Sequence, residues 1–177
     1  MVVWFTGLSG SGKTTLSLSV HMELVKRGIP ADYLDADELR RNLTRDLGFT
    51  KADRDENVRR IAAYAKIVMG HGMIALVSAI APYREIRNEV RASIGPQRFI
   101  EVYVNCPLEE CERRDPKCLY RKARAGKIAH FTGIDDPYEP PLRPDVEVRT
   151  DQDDVAACVS TVMRAILRAR YQDDSDD

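Results

Sequence analysis

The chain has 177 residues, of which 44% are hydrophobic and 31% are charged, and its formal net charge at pH 7 is −1. This length allows one well-buried core and is short for two, so we expect a single domain over residues 1–172, followed by an acidic tail at 173–177. A net charge near zero does not support binding to duplex nucleic acid, which requires a concentrated basic face. No apolar stretch approaches the roughly 20 residues that a membrane span needs.

Apolar runs bounded by turn signals alternate with helical periodicity along the chain. This alternation predicts an α/β fold with a mainly parallel sheet that helices cover on both faces. The predicted strands are 2–6, 31–35, 73–78, 99–105 and 146–149. The predicted helices are 13–26, 36–45, 54–69, 83–93, 108–113 and 153–171.

One segment, residues 115–144, departs from this alternation. It has few aliphatic side chains, many cations and five prolines. A long polar insertion beside a ligand site is often a lid, and a disordered loop is the alternative interpretation. We call residues 115–144 the lid segment.

Residues 7–14 read G-L-S-G-S-G-K-T and complete the G-x-x-x-x-G-K-[ST] pattern directly after the first predicted strand. Such a loop brings backbone N–H groups close to phosphate oxygens, and the next helix points its positive end at the same anion. Lys13 is expected to reach the β- and γ-phosphates, and Thr14 to place its hydroxyl on Mg²⁺. A glycine-rich turn with a chance lysine is the alternative. The expected nucleotide contacts are Gly7, Leu8, Ser9, Gly10, Ser11, Gly12, Lys13, Thr14 and Thr15.

Two carboxylates, Asp35 and Asp37, follow the second predicted strand. Alternation along an extended chain would place both on one side, at the carboxyl edge of the sheet where such folds bind ligands. One would then organise Mg²⁺ while the other accepts a proton from an attacking hydroxyl, as phosphoryl transfer requires. The alternative is that Asp37 only caps a helix that begins at Glu38.

The sequence contains no Asn-Lys-x-Asp stretch of the kind that reads guanine in GTPase switches. Motor and transport ATPases are usually larger than this chain. A compact chain with acids after the second strand and a cationic lid fits phosphoryl transfer to a small hydroxyl acceptor, because lid closure excludes water. The pattern therefore favours a small-molecule kinase.

Further motifs extend along almost the whole chain, and generic phosphate-loop kinases do not share them. They lie at 35–37 with Arg40, 46–49, 53–60, 82–84, 111–115, 119–126 and 131–141. Together with the loop at 7–14 they resemble adenylylsulfate kinases. The resemblance implies a three-layer α/β/α P-loop kinase fold, with a mainly parallel five-stranded sheet and a mobile lid. It also implies ATP-dependent phosphorylation of the 3′-hydroxyl of adenosine 5′-phosphosulfate (APS), giving 3′-phosphoadenylylsulfate and ADP.

The resemblance implies an aromatic clamp in which Phe49 and Phe131 sandwich the adenine of APS. Base stacking on an aromatic ring is worth about 1–3 kcal/mol. Burial of both rings in the core is the alternative. The other implied APS contacts are Asp37, Arg40, Arg54, Asn57, Ile80, Ala81, Lys117 and His130.

The resemblance also implies roles around the transferred phosphate. Asp37 would lie nearest the 3′-hydroxyl of APS, with Asp35 and Thr14 nearer Mg²⁺. Lys117 would neutralise charge between the phosphate and its acceptor. Arg114 would lie against the adenine of ATP, and a solvent-facing helix position is the alternative for this residue.

Four positions depart from the usual pattern of the family. Ala81 stands where many members carry a serine that has been described as a phosphoenzyme intermediate, so we expect direct in-line transfer. Ala36 replaces the glycine usual between the two aspartates, and its Cβ is expected to restrict that turn. Cys118 and His130, both in the lid segment, stand where glycine is common. The lid changes bear on closure and APS affinity more than on reaction type.

The sequence leaves several questions about partners open. The resemblance implies a homodimer, with a fused or partner ATP sulfurylase as a further possibility. The four cysteines form no C-x-x-C pair, so we interpret them as free thiols of a cytoplasmic protein. Two other functions remain as alternatives: a non-catalytic nucleotide-binding module of a sulfate-activating complex, and a kinase for another nucleoside or sugar hydroxyl.

Overall fold

The computed structural model describes residues 1–173, and a five-stranded sheet lies at its centre. The strands are β1 Val2–Thr6, β2 Ala31–Asp35, β3 Ile74–Ser78, β4 Phe99–Asn105 and β5 Val146–Arg149. Their order in the sheet is β2-β3-β1-β4-β5, and all four pairings are parallel. The predicted parallel sheet is confirmed, and all five strands end at one edge. Residues 174–177 of the predicted acidic tail lie outside the described residues.

Seven α-helices connect or cover the strands within residues 1–173. They are α1 Lys13–Lys26, α2 Ala36–Asn42, α3 Lys51–Gly70, α4 Arg84–Ile94, α5 Leu108–Arg114, α6 Leu119–Arg124 and α7 Val155–Asp173. A short 3₁₀ turn, Pro96–Arg98, precedes β4. None of the helices in this part of the chain is long and apolar enough to cross a lipid bilayer.

The sheet has a hydrophobic core on each of its faces. Alternation along β1 sends Val2 and Trp4 to the face covered by α3 and α4. Val3 and Phe5 point to the opposite face, which α1 and α7 cover. A central strand that is apolar on both sides is typical of a parallel sheet between two helical layers. The three-layer α/β/α arrangement is therefore confirmed.

α2 ends at Asn42 rather than at 45, and α4, α5 and α7 differ from their predicted bounds by one or two residues. Two further differences have identifiable reasons. α3 begins at Lys51 rather than at 54, because the Thr50 hydroxyl accepts from the Asp53 N–H and the Asp53 carboxylate accepts from the Thr50 N–H. This is a capping box, and the T-x-x-D spacing was visible in the sequence. α6 lies inside the lid segment and was not predicted. The Asp115 carboxylate accepts from the backbone N–H groups of Tyr120 and Arg121, both at 3.0 Å, and so anchors its first turn.

Two of the four positions that depart from the family pattern carry backbone strain in the lid segment. Cys118 and His130 have φ values of 54° and 56°, in the left-handed region. A residue with a Cβ pays roughly 1–2 kcal/mol there, whereas glycine does not. Glycine at either position would therefore adopt the same backbone without this cost. Ala36, by contrast, is the first residue of α2 and adopts a helical backbone that suits alanine, so the expected restriction by its Cβ is wrong.

We expect Cys118→Gly to raise the free energy of unfolding by about 0.5–1 kcal/mol, because the relieved strain exceeds the entropy that glycine adds to the unfolded chain. Urea denaturation measures this difference. The matched control is Ala125→Gly, at an exposed position just after α6 with φ of −82°, where the same change should destabilise. Destabilisation by both variants would contradict the assignment of strain to Cys118.

Candidate active site

The phosphate loop, residues 7–14, runs from the end of β1 into α1 and packs closely against β4 and α5. A Cβ added to Gly7 would lie 2.5 Å from the carbonyl oxygen of Val104, and one added to Gly10 would lie 3.0 Å from that of Cys111. The carbonyl of Ser11 accepts a 2.7 Å hydrogen bond from the Thr150 hydroxyl. Larger residues therefore do not fit at positions 7 and 10. Contacts with Val104, Cys111 and Thr150 fix the position of the loop.

Lys13 begins α1 and is buried at the mouth of this loop. Its Nζ donates a 2.7 Å hydrogen bond to the carbonyl of Leu8. Burial lowers the pKa of Lys13 to about 8, and the nearby carboxylates of Asp37 and Asp35 oppose this shift. A buried ammonium of this kind interacts strongly with an arriving phosphate, because little water screens it.

Asp35, at the end of β2, caps α2 with one carboxylate oxygen. Its Oδ1 accepts from the backbone N–H groups of Asp37 at 2.8 Å and Glu38 at 3.2 Å. The alternative that Asp37 caps this helix is therefore wrong. The expected alternation is also wrong, since α2 begins directly after Asp35 and Asp37 lies in the first helical turn. The two carboxylates still share the same edge of the sheet.

The second oxygen of Asp35 faces the phosphate loop. Its Oδ2 accepts a 2.7 Å hydrogen bond from the Tyr33 hydroxyl and lies 3.5 Å from the Thr14 hydroxyl. Burial opposes the charge of Asp35, but the hydrogen bonds from Tyr33 and the α2 backbone outweigh it and lower its pKa. The sequence analysis did not identify Tyr33 as a site residue. In the sequence it is only one of the residues of the predicted strand that ends at Asp35.

The Thr14 and Asp35 oxygens fit a magnesium site that is shared with a nucleotide. In residues 1–173, no cluster of three or more His, Cys, Asp or Glu side chains could hold a metal by itself. Mg²⁺ at such sites usually takes one or two protein oxygens and completes its shell with phosphates and water. The hydroxyl–carboxylate pair at the mouth of the loop meets that requirement.

Asp37 projects from α2 into solvent and forms an ion pair with Lys117 of the lid segment. Both side chains are more than half exposed. The structure therefore brings these two predicted residues together, beside the buried Lys13. An exposed acid in this position is accessible to the hydroxyl group of a second ligand.

Phe49 lies on the loop between α2 and α3 and is 58% exposed. The guanidinium of Arg40 lies 4.2 Å above the ring centre, and Arg40 also donates to the carbonyls of Leu47 and Gly48. Burial in the core, the alternative for Phe49, is therefore wrong. The ring presents apolar surface to solvent beside two predicted site residues, Arg40 and Arg54.

Arg54 links the segment that carries Phe49 to the one that carries Phe131. Its Nε donates to the Phe49 carbonyl at 2.9 Å and its Nη1 to the Thr132 hydroxyl at 2.6 Å. Its Nη2 donates to the His130 carbonyl. Phe131 is partly buried, whereas the side chain of His130 is 67% exposed. A loop histidine that only faces solvent is the alternative to an APS contact at this position, and the exposure of His130 agrees with it.

Ile80 and Ala81, two of the predicted APS contacts, follow β3, and hydrogen bonds fix their backbone carbonyls. The Ile80 carbonyl accepts from the Thr6 hydroxyl at 2.6 Å, and the Ala81 carbonyl accepts from Arg87 Nη1 at 2.6 Å. Arg87 is almost fully buried and also pairs with Glu101 at 2.8 Å. These bonds hold Ala81 at a φ of 43°, which is strained for alanine. No local pattern in the sequence pointed to Arg87.

Asn57, another predicted APS contact, lies on α3 and faces the segment after α2. Its Oδ1 accepts a 2.6 Å hydrogen bond from the buried Thr44 hydroxyl. This bond joins α3 to the loop that carries Phe49. Asn57 thus lies on the same helix as Arg54, one turn further along.

A cavity of about 250 Å³ lies on the other side of the phosphate loop. Gly12, Thr15 and Arg114 line it together with Thr150. Arg114 is held by hydrogen bonds of 2.7 Å to the Glu110 carboxylate and to the Thr150 carbonyl. The solvent-facing alternative for Arg114 is therefore wrong, since its guanidinium forms part of a pocket wall.

A parallel sheet of order 2-3-1-4-5 with a glycine-rich phosphate loop at its carboxyl edge defines a phosphate-loop kinase fold. Residues 1–149 match the sequence model of the adenylylsulphate kinase family. A curated adenylyl-sulfate kinase of Synechococcus sp. (strain JA-3-3Ab) is 57% identical over 171 residues, which cover 97% of this chain and 96% of that one. The chain belongs to the adenylylsulfate kinase family.

Solved structures agree with this assignment. The APS kinase CysC of Mycobacterium tuberculosis, in complex with AMPPNP and APS, is 45% identical with a TM-score of 0.88, covering 93% of this chain and 96% of that one. A hexameric APS kinase of Thiobacillus denitrificans is 32% identical with a TM-score of 0.70. The match covers 94% of this chain and 28% of that one. A gluconokinase of Sinorhizobium meliloti, 17% identical with a TM-score of 0.63, shares the fold alone.

We expect Tyr33→Phe to weaken the Mg²⁺-dependent part of nucleotide binding by about tenfold, because loss of the hydroxyl frees the Asp35 carboxylate to turn away from Thr14. Calorimetric titration with AMPPNP, with and without Mg²⁺, separates the two contributions. Affinity without Mg²⁺ should not change. Tyr64→Phe, at a partly exposed position on α3, is the control. An equal loss of affinity with and without Mg²⁺ would contradict this role.

Proposed function

We propose that this chain transfers the γ-phosphate of ATP to the 3′-hydroxyl of APS, giving 3′-phosphoadenylylsulfate and ADP. One observation supports this more than any other. A complete phosphate loop, an acidic pair and two Arg54-linked aromatic segments meet at one sheet edge, in a chain that belongs to the adenylylsulfate kinase family. The first holds a donor phosphate, the second guides an acceptor hydroxyl, and the third binds a base.

In this proposal the phosphates of ATP lie in the loop at 7–14, with the ammonium of Lys13 against the β- and γ-phosphates. The adenine occupies the cavity beside Arg114 and Thr15, whose volume and position next to Gly12 suit a base joined to those phosphates. Thr14 and Asp35 would hold Mg²⁺. Bound there, the ion neutralises charge on the β- and γ-phosphate oxygens.

The acceptor hydroxyl would lie at Asp37. A carboxylate is a weak base for an alcohol. The transition state of phosphoryl transfer is loose in most analyses, so orientation of the hydroxyl contributes more than full removal of its proton. Lys117, which pairs with Asp37, would neutralise charge between donor and acceptor.

APS would bind between the aromatic rings of Phe49 and Phe131. The guanidinium groups of Arg40 and Arg54 flank the Phe49 ring, and they would take the phosphosulfate and ribose oxygens. The remaining contacts in the proposal are Asn57, Ile80, Ala81 and His130.

We also propose that the chain works in the cytoplasm as a homodimer, alone or with ATP sulfurylase. The free thiols of all four cysteines support a reducing compartment, since even Cys106 and the neighbouring Cys111 are not joined. The hexameric APS kinase of Thiobacillus denitrificans supports self-association. This chain matches only 28% of that protein's length, so such a kinase domain also occurs within longer proteins.

A coupled ADP-release assay tests the proposed reaction. We expect APS to stimulate ADP release from ATP and Mg²⁺ far more than a panel of other nucleoside and sugar hydroxyl acceptors. Lys13→Ala, which removes the buried ammonium, should abolish the reaction. Tight binding of both ligands without turnover would instead indicate a regulatory module, and faster reaction with another acceptor would change the substrate.

Asp37→Asn should lower turnover by at least about 100-fold while nucleotide affinity changes little, because the carboxylate acts on the acceptor hydroxyl. Steady-state kinetics with APS and titration with AMPPNP measure the two effects. Glu38→Gln, the neighbouring exposed acid in the same helical turn, is the matched control and should retain activity. Equal losses of turnover and nucleotide binding in Asp37→Asn would indicate a structural role.

Direct transfer predicts that no stable phosphate label remains on the protein after incubation with γ-labelled ATP alone, since Ala81 has no hydroxyl to phosphorylate. Ala81→Ser restores a hydroxyl at the same backbone position. Turnover by the unmodified chain within a few-fold of this variant would show that the hydroxyl is dispensable. Stoichiometric labelling of the unmodified chain would refute direct transfer.

A further inference from the structure

Tyr120, on α6 of the lid segment, is 2% exposed although its helix is short and cationic. It is buried in a small cluster with Cys106 and Cys111, separate from the two cores of the sheet. Leu8 of the phosphate loop and Phe131 of the lid segment pack against the same cluster. One side chain therefore lies between the two halves of the proposed active site.

The hydroxyl of Tyr120 donates a 2.8 Å hydrogen bond to the carbonyl of Ser9, within the phosphate loop. In a trans peptide the carbonyl and the following N–H point in opposite directions, so this bond turns the N–H of Gly10 away from Tyr120. The adjacent Leu8 carbonyl is also held, by the Lys13 ammonium and the Ser11 N–H. With these carbonyls held back, the loop can direct its N–H groups at a phosphate.

The ring of Tyr120 meets Phe131 edge to face, with centroids 5.0 Å apart and an interplanar angle of 84°. This arrangement is favourable for an aromatic pair. A second contact joins the same two segments, because a Cβ added to Gly133 would lie 2.9 Å from the Leu8 side chain. The phosphate loop and the Phe131 segment therefore pack directly against each other at Leu8 and through Tyr120.

We propose that Tyr120 is a positioning residue shared by both substrate sites: its hydroxyl orients the Ser9–Gly10 peptide of the phosphate loop, while its ring sets the position of Phe131 in the aromatic clamp. This inference rests on the proposed function, since it assigns the loop to ATP and Phe131 to APS. A phosphate that fixes the loop then also fixes Tyr120 and the ring behind it. A clamp ordered in advance binds its base at a lower entropy cost.

Tyr120→Phe tests the proposal because it removes the hydroxyl and keeps the ring. Calorimetry would measure the dissociation constant of APS for the free chain and for the chain saturated with AMPPNP and Mg²⁺. In the unmodified chain we expect AMPPNP to tighten APS binding by at least about fivefold, a typical size for coupled sites. In Tyr120→Phe this factor should fall towards one, with APS affinity of the free chain unchanged within about twofold. Tyr64→Phe is the matched control and should keep the full factor.

An unchanged coupling factor in Tyr120→Phe would overturn the proposal. So would an equal loss of APS affinity in the free and the AMPPNP-bound chain, which is the result a merely structural role gives. The proposed function is tested separately by turnover. Coupled binding of both ligands without ADP release would contradict that function and leave the role of Tyr120 standing, whereas turnover without coupling would do the reverse.

A measurement on the unmodified chain does not depend on the variant folding. Hydrogen–deuterium exchange with AMPPNP and Mg²⁺, in the absence of APS, should show slower exchange over residues 119–134. The expected effect is at least about threefold for amides of α6 and of the segment around Phe131. Protection confined to the phosphate loop and α1 would overturn the proposal.

Discussion

The carboxylate of Asp35 is the interaction on which the proposed active site depends. One of its oxygens starts α2 and thereby sets the position of Asp37 in the first helical turn. The other receives the Tyr33 hydroxyl and faces Thr14 at the mouth of the phosphate loop. A shift of this carboxylate would therefore disturb both the proposed Mg²⁺ ligands, Thr14 and Asp35, and the position of Asp37. The proposed in-line transfer thus depends on the position of one side chain, Asp35, at the end of β2.

The sheet and the lid segment are held at this site by different kinds of interaction. Parallel strands place the phosphate loop and Asp35 at one edge without long-range side-chain contacts. The lid side depends on many specific bonds, such as those of Arg54 and Tyr120. It also contains the strained residues Cys118 and His130. Strain of this kind persists where surrounding contacts fix the backbone, and such positions are common at ligand sites.

Local patterns were sufficient to predict the sheet and the loop, and insufficient for the contacts between distant segments. Four of the five strands have the predicted ends, because apolar runs and turn residues bound them, and β3 starts one residue later than predicted. α6 lacks an apolar periodicity and depends on Asp115 and a buried Tyr120, so its sequence resembled a polar loop. Arg87 acts through partners that only the folded chain brings close, such as Glu101 and the Glu139 carbonyl. Tyr33 lies only two residues from its partner Asp35, but no pattern in the sequence distinguishes it from other strand residues.

The central claim is that the Asp35–Asp37 segment directs an acceptor hydroxyl onto the terminal phosphate held by the loop. A crystal structure of this chain with AMPPNP, Mg²⁺ and APS tests it most directly. The account predicts the 3′-oxygen of APS within hydrogen-bond distance of the Asp37 carboxylate and in line with the γ-phosphorus, with the adenine between Phe49 and Phe131. A 3′-oxygen directed away from Asp37, with no base between those rings, would contradict it.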